Sequence, residues 1–478
     1  MAKMTRLLSN RWAQALALTC AAFLAFGAAD VSAQGREKPK PQTKKVKSVG
    51  QWAFKRLSAA HEALAAENYT VALEELQEMR ESSRLNEHEE ALMWQTYGYL
   101  YSAQTKYKLS IDAFEKCVAL EGLPESAQVN TLYNLAQLYV VRENYKKAAS
   151  TFEKWFELAV EPPAEAHYMY AIPLLQLGKK KAALKEAELA VEKSDTPKEP
   201  WLQLVLSLYF ENKRYRESTR ILEMLVTNFP KKIYWVQLSA VYAELNESNK
   251  ALAALEVAYV GGMLDQDREL VNLAQLYLFN EVPYKAARVL EKGMKAGIVK
   301  PNEKTLELLA NAWLSSRERE KAISPLKRAA ARSKEGQLYL RLAQLQIDQE
   351  NWQPAMDSLA KAIEKGGLSD EGAAYFLLGI AAASDSQWDE AREAFDAASE
   401  FEDREKSAQE WLAHIDQEEA AEAEARAEAE AEAALLDAQA AQEVDGAEDS
   451  EVEGQREALG EGADEGEVAR SAIAPSAG

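Results

Sequence analysis

The chain has 478 residues, with 77 acidic against 56 basic side chains, a net charge of −21, two cysteines and four histidines. A hydrophobic content of 47% is enough to bury a sizeable core and excludes wholesale disorder. Two cysteines exclude a disulfide scaffold, four scattered histidines leave little for a metal cluster, and the acidity argues against nucleic acid as a partner.

At the amino terminus, Lys3, Arg6 and Arg11 precede an uncharged run over residues 12–29, followed by Val31-Ser32-Ala33 and Gln34. Basic start, apolar middle and small-residue exit read as a secretory signal peptide over residues 1–33. The run of 18 residues falls short of the roughly 20 that span a bilayer. Cleavage is therefore the expectation, with an uncleaved inner-membrane anchor as the alternative. Cys20 lies inside the apolar run, so cleavage leaves Cys117 alone, without a disulfide partner in an oxidising compartment. The features together predict a periplasmic protein. Residues 34–51 form a basic linker, with Arg36, Lys38, Lys40, Lys44, Lys45 and Lys47 against Glu37 and with Pro39 and Pro41 keeping it extended. This arm reads as a solvated leader or as a peripheral membrane-surface contact, since each basic residue near anionic lipid contributes about 1 kcal/mol.

From Trp52 onward a repeat emerges. Small residues at Ala72, Ser110, Ala148, Ala183, Ser218, Ala251, Ala286, Ala322, Ala355 and Ala391 fall 33 to 38 residues apart. Nine residues before most of these anchors stands a large residue: Tyr101, Tyr139, Leu174, Tyr209, Tyr242, Tyr277 or Trp313. Four residues after the anchor an apolar one recurs, as at Leu76, Phe114, Phe152, Leu222 and Phe395. A small residue is needed where two antiparallel helices cross closely, and stacking of such pairs buries the face that one pair leaves open. Helix-ending signals such as Gly122, Pro162-Pro163, Pro230, Gly261-Gly262 and Gly366-Gly367 separate the units.

Trp94, Tyr97, Gly98, Tyr101, Tyr107, Ser110 and Phe114 resemble the signature of the tetratricopeptide repeat (TPR) family, and the pattern recurs with Trp235, Leu238, Tyr242 and Ala251. The ninth and tenth units depart from it, with Gln346 and Ala382 at the aromatic position. The resemblance implies an all-α, right-handed superhelical solenoid of about ten helix pairs over residues 52–402. Its concave groove would hold segments of partner proteins. Residues 403–419, with Trp411, Leu412 and Ile415 on one face, read as a capping helix. Residues 420–442 read as an Ala/Glu-rich helix, and residues 443–478 as a disordered acidic tail. Residues 416–478 carry 20 acidic and three basic side chains, so most of the net charge belongs to this end.

The spacings of catalysis are missing. His61-Glu62 and His88-Glu89 begin like zinc-protease helices, but Ala65 and Leu92 stand where the second histidine belongs. His167 and His414 read as packing or surface residues, and Cys117 as a buried inert thiol. With no phosphate loop or nucleophile elbow, the expectation is a non-enzyme without cofactor, metal or small-molecule substrate.

If the resemblance holds, first helices line the groove, and their phase selects Gln95, Tyr99, Asn130, Tyr133, Asn134, Gln137, Tyr168, Met169, Gln203, Phe210 and Gln237. Later units add Asn272, Gln275, Phe279, Gln344 and Phe376. Residues 134–139 and 272–277 are identical hexapeptides, Asn-Leu-Ala-Gln-Leu-Tyr. The apolar members follow from packing, but the amides do not. In the family an asparagine at this phase often binds the backbone of an extended peptide, donating and accepting at once. Leu57, His61 and Thr96 occupy early positions where chaperone-binding members clamp a terminal carboxylate, so an internal segment is expected instead. The layout is similar to periplasmic TPR proteins that accompany TonB-type energy-transducing systems. It implies an adaptor for envelope or membrane proteins. The rival expectation is an assembly factor for the outer membrane or surface appendages, working through its convex face or cap.

Overall fold

The computed structural model describes residues 47–458, so the signal segment and most of the basic arm lie outside the described residues. All regular elements among the described residues are α-helices, divided between two compact units, one ending at Leu264 and one beginning at Asp265. The first unit holds six antiparallel pairs: α1 (Gln51–Ala65) with α2 (Tyr69–Glu81), α3 (Glu87–Ala103) with α4 (Tyr107–Leu120), α5 (Glu125–Val141) with α6 (Tyr145–Leu158), α7 (Ala164–Gln176) with α8 (Lys180–Glu192), α9 (Glu199–Glu211) with α10 (Tyr215–Asn228), and α11 (Lys232–Glu244) with α12 (Ser248–Val260). The second holds four: α13 (Asp267–Phe279) with α14 (Pro283–Lys295), α15 (Glu303–Ser315) with α16 (Arg319–Arg332), α17 (Gln337–Ile347) with α18 (Trp352–Lys365), and α19 (Glu371–Ser384) with α20 (Trp388–Ser399). The long helix α21 (Glu405–Ala458) follows them.

The repeat register is the one the sequence implies. All ten small anchors, from Ala72 to Ala391, are completely buried, and Leu76, Phe114, Phe152, Leu222, Leu255, Leu290, Leu326, Leu359 and Phe395 are buried beside them. Two close crossings are sealed by serine hydrogen bonds, whereas the anchor Ser218 donates to the Arg214 carbonyl at the start of its own helix. Ser110 Oγ donates to the Gly98 carbonyl at 2.7 Å, and Ser239 Oγ donates to the Ala251 carbonyl at 2.7 Å. Gln346, the exception at the aromatic position, is also buried, and its Oε1 accepts from Ser358 Oγ at 2.7 Å. A polar side chain thus fills an aromatic site because the facing helix satisfies it.

Every pair turns in the same way. Five residues before each anchor stands a residue with φ between 54° and 75°: Glu67, Thr105, Glu143, Gly178, Lys213, Asn246, Glu281, Arg317, Glu350 and Ser386. The next amide donates back to the carbonyl five residues earlier, as from Asn144 to Tyr139 at 2.8 Å and from Glu318 to Trp313 at 2.9 Å. This closes the first helix with a left-handed residue and a long backward bond. Glycine is the residue that usually takes that conformation, yet it stands at only one of the ten turns.

The recurrent aromatic does two further jobs. A lysine eight residues later lies over its ring, with Lys147 5.3 Å from Tyr139, Lys250 5.4 Å from Tyr242, Lys285 5.6 Å from Tyr277 and Lys321 5.0 Å from Trp313. Its hydroxyl also reaches the preceding pair. Tyr139 donates to Glu115, Tyr209 to Glu188 at 2.7 Å, and Tyr242 to Glu223 at 2.5 Å. Each glutamate stands five residues after its anchor, so the bond joins neighbouring pairs at a fixed register.

Burial pushes the Glu115 carboxyl up, but hydrogen bonds from Lys147 and Tyr139 outweigh it and hold the group below its ordinary value. A carboxyl with a depressed folded pKa stabilises fully above the ordinary carboxylate range and loses that contribution as pH falls through the depressed value. Glu115→Gln is therefore expected to cost about 0.5–1 kcal/mol at neutral pH, allowing for solvent screening. Urea denaturation at descending pH should show the gap to wild type closing in acid. A gap independent of pH would contradict the assignment.

At the carboxyl end, α21 covers the last pair. Ala408 and Ile415 are fully buried, and Trp411 stacks on Phe395 with ring centroids 5.5 Å apart and planes 10° apart. Arg392 pairs with Asp416 and Glu419, and Trp388 Nε1 donates to Glu422 at 2.9 Å. Beyond these contacts the side chains up to Leu436 are exposed. The helix that begins as this cap extends from Glu405 to Ala458. Its Ala- and Glu-rich composition over residues 418–442 favours helix, and no proline stands within its bounds. Residues 459–478 lie outside the described residues.

Candidate functional site

First helices carry the candidate binding faces, each held by its buried side against the second helix of its pair. In the first unit the structure brings several predicted residues together but engages them with one another. Asn134 Nδ2 donates to Tyr99 Oη at 3.3 Å, and Gln137 is half-buried one turn after Tyr133. Tyr133 packs on Trp155 at 4.9 Å, and Tyr99 meets Phe114 edge-on at 5.3 Å. Gln95 Nε2 donates to Thr131 Oγ1 at 2.8 Å, joining α3 to α5. Gln203 Nε2 donates to Glu199 Oε1 at 3.1 Å and also meets the Tyr234 hydroxyl, while Lys231 binds Glu199 at 2.7 Å. Asn130 stays exposed, and Phe210 and Gln237 are half-buried.

Tyr168 corrects the expectation. It is only 7% exposed, because Trp201 of the next pair stacks on it at 5.6 Å. Met169 beside it is buried too. Both belong to the packing between pairs and offer little to a ligand.

The second unit presents the opposite arrangement. Asn272, Gln275 and Phe279 lie on one stripe of α13, spaced three and four residues apart, and all are exposed, Phe279 to 75%. Identical hexapeptides therefore have different fates. Gln137 has Tyr133 one turn earlier in its own helix, whereas Gln275 has Val271 there. Asn134 reaches the Tyr99 hydroxyl of the preceding pair.

Sequence reasoning missed Asn311 and Arg341. Asn311 follows Ala310 as Gln275 follows Ala274 and Gln344 follows Ala343, so three successive pairs place an amide at one phase. Arg341 donates to Asn311 Oδ1 at 2.7 Å and pairs with Glu307 at 3.1 Å. The shared phase was the available signal. Gln344 is exposed, and Phe376 is half-buried with its ring edge-on to Phe395.

The titratable groups serve the scaffold. His88 Nδ1 bonds the Gly122 carbonyl at 2.7 Å, His167 Nδ1 meets Glu186 at 2.7 Å, and His61 Nε2 meets Thr96 Oγ1 at 3.0 Å. His414 lies on α21, 3.9 Å from Glu418. Burial pushes the Cys117 thiol up to about 12, leaving it protonated and inert at neutral pH. Among the described residues no group of three or more His, Cys, Asp or Glu side chains is placed to hold a metal ion.

The geometry defines a helical-pair repeat protein of tetratricopeptide architecture, with exposed amide and aromatic side chains along first helices. No protein-family model matches the chain, and no curated protein matches it. Among solved structures it is similar to a tetratricopeptide repeat protein from Parabacteroides merdae, at 17% identity and a TM-score of 0.33, covering 59% of this chain and 94% of the other. YrrB, described as a TPR protein with an unusual peptide-binding site, is similar at 22% identity and a TM-score of 0.32, covering 39% of this chain and 89% of its own. The TPR2AB-domain:pHSP90 complex of yeast Sti1 is similar at 14% identity and a TM-score of 0.32, covering 55% and 99%. These are likenesses of fold at low superposition scores, and the repeat geometry described above stands without them.

Proposed function

We propose that the protein is a non-enzymatic periplasmic adaptor that binds internal, extended segments of envelope proteins along its first-helix faces. The observation that carries this reading is the stripe of Asn272, Gln275 and Phe279 on α13. Its amides keep donors and acceptors for a peptide backbone, and Phe279 supplies a large apolar contact at little entropy cost. The self-engaged residues around Asn134 make α5 the secondary face. A leader of signal-peptide form supports the compartment, and the resemblance in layout supports the narrower assignment to TonB-type energy transduction or transport.

The test is an array of internal peptides from envelope proteins, probed with wild-type protein and with Asn272→Ala/Gln275→Ala/Phe279→Ala. Binding should be equal for peptides with free or amidated carboxyl ends, should change little with salt, and should fall at least about tenfold in the variant. These side chains are exposed, so the variant keeps its fold. Undiminished binding by the variant would refute the site. A mature chain beginning at Gln34 and recovered from the periplasm would establish the compartment.

A further inference from the structure

The outward faces of four successive second helices carry a block of positive charge. In α4, α6, α8 and α10 the anchor and the residues four and seven after it are buried. The position two before the anchor lies on the opposite side, and there stand Lys108, Lys146, Lys181 and Arg216, all exposed. One turn later on the same side, α8 and α10 add Lys185 and Arg220, also exposed. The block is confined to these pairs, because the same two positions hold Thr70 and Glu74 in the first pair and Asn249 and Ala253 in the sixth. Ion pairs run across the row, from Lys147 to Glu115 at 2.6 Å, from Lys179 to Glu153 at 3.8 Å and from Arg214 to Glu188 at 3.2 Å, so the four helices lie side by side.

Acidic neighbours leave these cations unanswered. The glutamates five residues after the anchors are taken by those ion pairs and by tyrosine hydroxyls. Glu217, next to Arg216, is bound by Arg214 at 2.9 Å. Across the eight positions of the block, Asp112 is the single acidic residue. Lys181 with Lys185, and Arg216 with Arg220, are like charges four apart on a helix, an arrangement that works against it.

The same chain presents the complementary surface. Between residues 416 and 436, α21 carries eight acidic side chains against Arg426 alone. Asp416, Glu419 and Glu422 are held by the last pair. Glu424, Glu428 and Glu432 lie beyond it on one stripe, exposed, and again as like charges four apart. Each surface therefore relieves in the other a repulsion that it suffers alone. Among large apolar side chains the four basic helices expose only Leu109 and Leu158, and no aromatic ring, so they offer little to the acyl layer of a membrane.

We infer that the acidic stripe of α21 in one copy docks on the basic face of the first unit in a second copy. The contact joins two different surfaces, so it propagates head to tail. Built from exposed charges, it is weak and responds steeply to salt. The inference is independent of the peptide face on α13.

The test is light scattering by the full chain, as processed by an expressing bacterium, over a range of concentrations. At about 0.01 M salt, where the screening length is about 30 Å, the average mass should rise with concentration above that of one chain. At about 1 M, where it is about 3 Å, the mass should return to one chain. Lys146→Glu/Lys181→Glu/Arg216→Glu and Glu424→Lys/Glu428→Lys/Glu432→Lys should each weaken self-association at least about tenfold. All six side chains are exposed, so circular dichroism spectra should be unchanged. Mixing the two variants should restore association, because the acidic helix of the first then meets the basic face of the second. The triple alanine variant on α13 should associate like wild type. A single-chain mass at low salt and every concentration would overturn the inference, including the case in which the helix meets the face of its own chain. So would undiminished association of either charge-reversed variant, or a mixture that stays apart. Binding of anionic vesicles or nucleic acid by the basic face without self-association would overturn it as well.

Discussion

Gly98→Ala is expected to destabilise the first unit by about 1–3 kcal/mol, although alanine is the better helix former by about 1 kcal/mol. A β-carbon at Gly98 would lie 2.3 to 2.6 Å from three atoms of the Phe114 ring. That ring has no free space: it is 1% exposed and meets Tyr99 edge-on. Nor do the helices separate readily, because Ser110 ties α4 to the Gly98 carbonyl. The third pair accommodates both Ala136 and Phe152, so the conflict lies in ring placement rather than in residue type. Urea denaturation should show a lower midpoint, and hydrogen exchange should place the loss in α3 and α4. Phe114→Leu in the same chain should recover part of it, giving a favourable coupling between two individually harmful substitutions. A raised midpoint for Gly98→Ala would show that helix propensity prevails and that the crossing has slack.

Trp411→Ala is expected to cost about 3 kcal/mol, the low end for a large aromatic because the side chain is half-buried. It removes the ring stacked on Phe395, whose other side faces Gly379, where a β-carbon would already lie 2.8 Å from the ring. Arg392→Gln should change stability by less than about 1 kcal/mol, although it breaks ion pairs to Asp416 and Glu419, because those pairs are solvent-exposed. The contrast identifies apolar cover as the basis of the cap. Truncation before Glu405 should expose Phe395 and Ala398 and strip exchange protection from α19 and α20 before the other pairs of the second unit. Unchanged protection there would mean that the last pair needs no cover.

The anchors were legible because a close helix crossing admits few residue types, and small residues at a steady spacing have little other explanation. The turns were not, since Glu143, Lys213 or Arg317 in a left-handed conformation resembles any other surface residue, and only Gly178 and Asn246 carry a conventional signal. Tyrosine-to-glutamate bonds between pairs were present as spacing, but spacing alone does not say which acidic residue a hydroxyl meets. Phase located first-helix residues and said nothing of their cover. Tyr168 lies under Trp201, and the amides of one hexapeptide are engaged where those of its twin are open, each through residues outside the hexapeptide. The site was legible as a set of candidates, and three-dimensional neighbours chose among them.

The ten left-handed turns bear on how small a piece of this protein is able to fold. Nine hold a residue with a side chain, each opposed by about 1–2 kcal/mol relative to a right-handed conformation. An excised helix pair meets that opposition without the neighbouring layers that outweigh it, so a minimal folding fragment must contain several complete pairs. The same turns are an untapped engineering reserve, since glycine at any of the nine relaxes the backbone without touching a binding face.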